Sequence, residues 1–195
     1  MTYQARTFAL PELKGLSKKQ LDVHLALYEG YVKHVNLIME KIASLKEVDA
    51  EGNAFLMNEL RRRLGFEFDG MRMHEYYFEQ FEGGAAAPAA DSALASAVTE
   101  KYGGWDAFIA HIKEVAGTRG IGWVVVYYDP KGSTMHTAFV NDHELGQLAG
   151  LPVILAVDLW EHAYMVDYLP AEKKTYVEAF LENVNWRMVE SRVVS

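Results

Sequence analysis

The sequence predicts an α+β fold, in which an N-terminal helical hairpin is followed by a C-terminal α/β domain with a small, mostly antiparallel three-stranded sheet. Two long segments with helical spacing of apolar residues come first, at residues 17–45 and 54–82. Short β-branched and apolar segments occur only later, interleaved with helical ones. The small, proline-containing segment 83–92 lies between the two parts, so we expect it to link a domain of residues 1–84 to one of residues 91–195.

The composition of the 195-residue chain indicates a folded protein with an acidic surface. Half of its residues are apolar, and the absence of cysteine excludes disulfides, cysteine zinc sites, iron–sulfur clusters and thiol nucleophiles. The net charge of −8 argues against nucleic acid and anionic membranes as partners. An anionic substrate would therefore need a local cationic group. No segment resembles a secretory signal or a membrane span, so we expect a cytoplasmic protein.

The N-terminal segments have the features of amphipathic helices. Ser17 is a candidate N-cap, and Gln20 stands at the third helical position, as in a capping box. The second segment carries His74 on an apolar and aromatic face, and its arginine run 61–63 is expected to be a solvated surface. The shared face of the first segment contains Leu21, His24, Tyr28, Tyr31 and Val35.

The C-terminal half alternates helical and extended patterns. The β-branched and aromatic residues 121–128 and the segment 134–140 predict two strands joined by a turn. The continuous apolar run 152–157 predicts a central strand buried on both faces. Helices are expected over residues 91–102, 105–117, 160–168, 171–182 and 186–193.

Asp158 and His162 form the most informative polar pair. Asp158 directly follows the apolar run, where an unpaired charge would cost several kcal/mol, so its carboxylate needs a strong partner. If a helix begins at the end of the strand, His162 lies one turn later and can point to the same centre. Imidazole and carboxylate together suit a metal ion, and His24 and His74 could join from the hairpin. The alternative is that the histidines are hydrogen-bonded core residues and that Asp158 is a helix N-cap.

The segment DLWEHAY at residues 158–164 resembles the signature D-x-W-E-H-A-[YF] of the iron/manganese superoxide dismutase family. The resemblance implies that the chain converts superoxide to dioxygen and hydrogen peroxide with one iron or manganese ion, iron being favoured. It also implies that His24, His74, Asp158 and His162 are the metal ligands. Further segments resemble the family in the same order: YVKHVN at 31–36, HEYYF at 74–78, GIGW at 120–123 and YVEAFLENVNWRMVESR at 176–192.

The same resemblance implies roles for residues around the ion. In this family a Gln or His holds the metal-bound solvent from one of two positions. One position is Gly70 here, which has no side chain, so His143 at the other position is the expected solvent partner. Trp123 and Trp160 correspond to aromatic walls of the site, and Lys173 falls near a basic position of the substrate funnel.

The resemblance also implies a homodimer, because Glu161 corresponds to the residue that reaches His162 of a second subunit. The chain departs from the family nearby, since Tyr28 replaces a histidine and Met165 replaces a tyrosine. Tyr31 is the expected gate and proton-relay residue, with Tyr28 as its competitor. These departures leave open a catalytically silent metal-binding homologue as the alternative function; a metal hydrolase would need a general base, and none is obvious.

Overall fold

Six helices and three strands make up the structure, a computed structural model that describes residues 2–193. No helix in this part of the chain is both long and apolar enough to cross a membrane. The predicted fold class is confirmed. The helices are α1 (Lys18–Asp49), α2 (Ala54–Glu79), α3 (Ala93–Tyr102), α4 (Trp105–Ala116), α5 (Lys173–Asn183) and α6 (Trp186–Ser191). The strands are β1 (Gly122–Asp129), β2 (Thr134–Asn141) and β3 (Val153–Asp158).

Two side chains hold the start of α1 in place: Ser17 caps the helix, and Gln20 bonds to a distant segment. The Ser17 hydroxyl oxygen accepts a hydrogen bond from the Gln20 backbone N–H at 3.1 Å, so the predicted N-cap is confirmed. Gln20 does not complete a capping box. Its side-chain amide instead donates to the His162 carbonyl at 2.6 Å and accepts from the Val166 N–H at 2.9 Å. The first turn of α1 is thereby joined to a segment far along the chain.

This contact explains why the predicted helix 160–168 is wrong. In an α-helix the Val166 N–H would donate to the His162 carbonyl, but Gln20 takes both groups. The Asp158 side chain also accepts from the Trp160 N–H at 2.8 Å, which holds the chain in a turn after β3. Only a short 3-10 turn, Glu161–Ala163, remains of the predicted helix.

The sheet has the strand order β2-β1-β3, and both pairings are antiparallel. The central strand is therefore β1, and the prediction that 152–157 forms the central strand is wrong. Most of β3 is nevertheless buried. A run of apolar residues indicates that both faces of a strand are buried, but it does not indicate where the strand lies in the sheet.

Side chains cover the outer edge of β3, beside which the described residues form no further strand. Gln80 donates to the Ala156 carbonyl at 2.6 Å and accepts from the Ala156 N–H at 3.3 Å, as a neighbouring strand would. Arg192 donates to the Ile154 carbonyl at 3.0 Å. These bonds satisfy the buried edge and attach α2 and the C-terminal segment to it.

The segment 83–92 connects the two parts of the chain along a defined path. The Trp186 N–H donates to the Ala86 carbonyl at 2.9 Å, and the Asn185 N–H donates to the Gln80 carbonyl at 2.7 Å. The Asn183 side chain also bonds to both backbone groups of Lys14. The division into domains of residues 1–84 and 91–195 stays a prediction.

Replacing Gln80 tests whether a side chain can substitute for a missing strand. We expect Gln80→Leu to lower the free energy of unfolding by about 2–4 kcal/mol, because it leaves two buried backbone groups of Ala156 unsatisfied. The measurement is the urea unfolding midpoint. Gln4→Leu at an exposed position is the matched control and should change the free energy by less than about 0.5 kcal/mol. Equal effects of the two substitutions would contradict the assignment.

Candidate metal centre

Four side chains from both halves of the chain meet in the interior. His24 comes from α1, His74 from α2, Asp158 from the end of β3 and His162 from the turn that follows. One nitrogen or oxygen atom from each lies within 4.8 Å of the others. His24, His74 and Asp158 are completely buried, whereas the side chain of His162 is 17% exposed. The structure therefore brings together the four residues singled out in the sequence.

One carboxylate oxygen lies at the middle of this cluster. Asp158 Oδ2 is 3.0 Å from His24 Nε2, 3.2 Å from His162 Nε2 and 3.6 Å from His74 Nε2. The Nε2 atoms of His74 and His162 are 3.3 Å apart. Separations of this size suit donor atoms that share one ion.

The protonation states of the cluster also suit a cation. Burial lowers the pKa of both His24 and His74, which keeps these imidazoles neutral. Burial alone would raise the pKa of Asp158, but the interactions of its carboxylate with His162 and His24 hold it well below its usual range. The cluster thus contains a buried carboxylate with neutral imidazoles at His24 and His74, the forms that bind metal ions. Nitrogen and carboxylate oxygen donors in this number fit iron or manganese.

Neighbouring groups orient the candidate ligands. His74 Nδ1 lies 2.6 Å from the Gly70 carbonyl one turn earlier in α2, so a proton on Nδ1 leaves the Nε2 lone pair facing the cluster. Asp158 Oδ1 accepts from the Trp160 N–H, which leaves Oδ2 facing the histidines. The Gln20 side chain holds the backbone of His162.

A second set of hydrogen bonds runs past the cluster through His143. The indole N–H of Trp123 donates to His143 Nδ1 at 2.9 Å, and His143 Nε2 lies 2.8 Å from the Tyr31 hydroxyl. Burial lowers the pKa of His143 to about 4, despite the opposing effect of Asp158, so the ring is neutral at pH 7. An indole N–H can only donate, and the single ring proton of His143 must therefore be on Nε2. His143 thus donates to Tyr31, and the hydroxyl proton of Tyr31 is free to point to another acceptor.

Backbone geometry places the members of this chain. Asp142 has a φ of 53°, in the left-handed region, and this turn brings His143 back over the sheet. Gly122 has a φ of 146°, and a Cβ there would lie 2.0 Å from the Val140 carbonyl oxygen, so only glycine fits immediately before Trp123.

Tyr31, rather than Tyr28, faces the site. A Cβ at Gly70 would lie 2.6 Å from Tyr31 Cδ1, so the absent side chain of Gly70 is what lets the Tyr31 ring pack against α2. The Tyr28 hydroxyl accepts from the Arg6 N–H at 2.8 Å and donates to Glu75 at 3.1 Å. Tyr28 is therefore a buried core residue with partners away from His143.

Aromatic rings enclose the cluster. Trp160 stacks on His143 with 4.9 Å between ring centroids and on His162 with 5.7 Å. Trp123 packs edge-on against His74 at 5.1 Å. These two tryptophans lie where the resemblance implies walls, and the low polarity they create strengthens electrostatic interactions inside the site.

The remaining sequence candidates lie around the exposed turn or away from the site. Glu161 and Met165 are both exposed, beside the partly exposed His162. Lys173 begins α5, and its ammonium group donates to the Thr118 carbonyl at 3.0 Å. The structure thus places Lys173 beside Thr118 and gives it no hydrogen bond to a candidate ligand.

Three residues that support the site were not singled out for it from the sequence. Gln20 was interpreted as a capping residue, and only the distant partner groups reveal its contact with the turn. Tyr77 packs against His24 with 4.7 Å between centroids, and the Tyr176 hydroxyl donates to the Asp158 carbonyl at 2.7 Å. The spacing of these tyrosines is that of ordinary core residues, so no sequence signal distinguishes them.

Comparisons with known proteins agree with this geometry. Residues 90–192 match the family model described as iron/manganese superoxide dismutases, C-terminal domain. An iron superoxide dismutase of Cupriavidus metallidurans is 35% identical, over 93% of this chain and 90% of its own length. One from Sulfolobus acidocaldarius is 31% identical, over 91% and 85%. A manganese superoxide dismutase of Mycolicibacterium smegmatis is 34% identical, over 87% and 80%.

The matched region includes Asp158, His162 and His143, and the relatives cover His24 and His74 as part of an alignment over most of the chain. Names with iron and names with manganese both occur among these relatives. The buried cluster of nitrogen and carboxylate donors, the family model and the relatives therefore lead to one conclusion. The chain belongs to the iron/manganese superoxide dismutase family.

Proposed function

We propose that His24, His74, Asp158 and His162 hold the iron or manganese ion of this superoxide dismutase. The observation that carries the proposal is the convergence of three imidazole nitrogens on one buried carboxylate oxygen. When bound, the ion supplies one-electron cycling, by which two superoxide anions and two protons give dioxygen and hydrogen peroxide. The protein must then deliver protons and exclude competing reactions.

Tyr31 is proposed as the group that holds a proton for the substrate. Burial raises the pKa of its hydroxyl, with further contributions from the charges of Asp158 and Glu67, so Tyr31 Oη keeps its proton at neutral pH. His143 donates to the same oxygen and fixes the ring. The Tyr31 ring also packs on the candidate ligand His74, with 5.0 Å between centroids, and we propose that its free O–H points to the metal centre.

Nothing in the site favours the silent alternative. The replacement of the usual histidine by Tyr28 does not leave a stranded polar group, because Tyr28 has partners in Arg6 and Glu75. The chain of Trp123, His143 and Tyr31 is complete. The relatives are named superoxide dismutases.

A homodimer is proposed to form over the exposed turn that contains Glu161 and Met165. On α1, Val23 and Leu27 lie on the same side of the helix as Gln20, which binds this turn. Val23, Leu27, Met165 and Val166 are each about two-fifths exposed, which gives an apolar surface beside His162. In the dimer Glu161 would reach His162 of the second subunit. The cytoplasmic location stays a prediction.

Asp158→Asn tests the ligand set. We expect the variant to lose its metal, because an amide lacks the charge and donor strength of the carboxylate. Elemental analysis of metal per chain and the melting temperature with and without added metal are the measurements. The parent should gain about 4 kcal/mol of stability when metal is at a thousandfold excess over its dissociation constant, and the variant should gain almost none.

Asp129→Asn is the matched control for this substitution, because Asp129 also ends a strand but lies outside the cluster. Its metal content should equal that of the parent. Retention of metal by Asp158→Asn at the level of Asp129→Asn would exclude the proposed ligand set.

Tyr31→Phe and Tyr28→Phe distinguish the two tyrosines. Tyr31→Phe should lower kcat by about tenfold or more with unchanged metal content, since it removes the proton donor. Tyr28→Phe should leave kcat within about twofold but lower the free energy of unfolding by about 1–3 kcal/mol, because Glu75 loses a buried partner. The measurements are superoxide decay, metal content and chemical unfolding; a larger kcat loss in Tyr28→Phe would reverse the assignment.

Leu27→Glu tests the dimer surface. A carboxylate at this position would face its equivalent or an apolar surface of the second copy, so we expect the dimer dissociation constant to rise by about a hundredfold or more. Sedimentation equilibrium gives the measurement. Phe55→Glu, at an exposed apolar residue at the start of α2, is the control and should leave the dimer intact. A monomeric parent protein would contradict the proposal directly.

A further inference from the structure

Of the four candidate ligands, only His162 has an exposed side-chain fraction. Three partly exposed rings lie around the neighbouring His143: Trp160 stacks on both His143 and His162, and Tyr31 and Phe66 pack against His143. We call these rings, Tyr31, Phe66 and Trp160, the mouth of the site. Phe66 lies between the other two, with centroid distances of 6.3 Å to Tyr31 and 6.5 Å to Trp160, and it packs on His143 at 4.6 Å.

A guanidinium group packs on one ring of this mouth. Arg63 Cζ lies 3.9 Å from the centroid of the Phe66 ring, which also packs on His143. Arg63 Nε and Nη2 both bind Glu67 Oε1, at 2.9 Å and 2.8 Å. Half of the Arg63 side chain remains exposed, and its Nη1 has no hydrogen-bond partner among the residues described.

The charge beneath Arg63 is unfavourable for an anion. The side chain of Glu67 is only 6% exposed, and its negative charge contributes to the raised pKa of Tyr31 at the mouth. Arg63 opposes this effect at Tyr31 and also contributes to the lowered pKa of His143.

Acidic groups around Arg63 make its positive charge more important for an anionic substrate. The chain carries a net charge of −8, and Glu144 lies close to Gly65, the residue that precedes Phe66 on α2. His34 on α1 is the other basic group beside Glu67, with Nδ1 3.5 Å from Oε2. Lys173, which the family resemblance puts near a basic position of the substrate funnel, donates a hydrogen bond to the Thr118 carbonyl. The arginines 61–63 are all exposed, as expected for a solvated face, and the guanidinium of Arg63 in addition contacts Phe66.

We propose that Arg63 is the residue that guides superoxide to the metal centre, because its half-exposed guanidinium covers the buried charge of Glu67 beside Phe66. Arg63 is a guiding residue and not a catalytic one, since its guanidinium contacts Phe66 and Glu67 and has no hydrogen bond or ion pair with a candidate ligand among the residues described. This inference rests on the proposed function, because superoxide is its anion. A positive charge at this position should mainly raise the rate at which superoxide encounters the site, and salt should screen this effect.

The neighbouring arginine provides a matched control. Arg62 lies on the same helix, carries the same charge and also pairs with a glutamate, Glu59, at 2.9 Å. Unlike Arg63, it stacks on no aromatic ring among the residues described, and its side chain is 74% exposed. Arg62→Gln and Arg63→Gln therefore change the net charge equally, and each removes the arginine partner of one glutamate.

The test measures superoxide decay by the metal-loaded, full-length protein at low and high ionic strength. We expect Arg63→Gln to lower kcat/KM by about two- to fivefold at an ionic strength of about 10 mM, and the deficit to vanish near about 500 mM. Arg62→Gln should have the kcat/KM of the parent at both ionic strengths. Arg63→Gln combined with Glu67→Gln should regain most of the rate, because the uncovered anion is then removed.

Two results would overturn the proposal. One is an equal effect of Arg63→Gln and Arg62→Gln at low ionic strength. The other is a deficit in Arg63→Gln that salt does not change, which would mean that Arg63 acts only through the packing of Phe66.

Azide binding gives a readout that does not depend on dismutase activity. Titration of the metal-loaded protein, followed by its visible absorbance, should show azide binding about two- to fivefold weaker in Arg63→Gln than in Arg62→Gln at low ionic strength. Equal azide affinities would refute the guiding role even if the parent removed no superoxide. An inactive parent with a normal difference in azide affinity would instead contradict the proposed function alone.

Discussion

The carboxylate of Asp158 is completely buried at the end of an edge strand, where an unpaired charge would cost several kcal/mol. Its two oxygens have different partners: Oδ1 accepts from the Trp160 backbone, and Oδ2 faces three imidazoles. These imidazoles come from α1, from α2 and from the turn after β3. The hairpin and the sheet must therefore pack together before the charge has its partners, so fold and metal site depend on one another.

Side-chain amides replace regular backbone pairing at two points that this arrangement requires. Gln80 completes the outer edge of β3, and Gln20 takes the donor and the acceptor that would otherwise extend a helix through His162. In both places the backbone would have buried unsatisfied groups without the amide. The strand that presents Asp158 and the turn that presents His162 are thus held by residues of the N-terminal half.

The direction of the second hydrogen-bond chain follows from the chemistry of an indole. Because Trp123 can only donate, His143 must accept at Nδ1 and donate at Nε2, and Tyr31 keeps its own proton available. Gly70 makes this possible, since any side chain there would collide with the Tyr31 ring. Beside the mouth of the site, Arg63 and Glu67 form an ion pair, and in our proposal their two charges set the electrostatic potential for an approaching anion.

The fold class, most helix and strand positions and the four residues of the cluster could be predicted from the sequence, because a buried charge after an apolar strand and the motif DLWEHAY are local patterns. Tyr28 and Tyr31 remained competitors for the gate position, since both lie close to the ligand face of α1. Long-range contacts place Tyr31, and not Tyr28, beside His143. They also make β3 an edge strand, end the helix predicted after Asp158 and place Arg63 over Phe66. These features could not be predicted because a polar side chain takes its partner from groups far away in the sequence, and the spacing of residues along the chain does not indicate which groups those are.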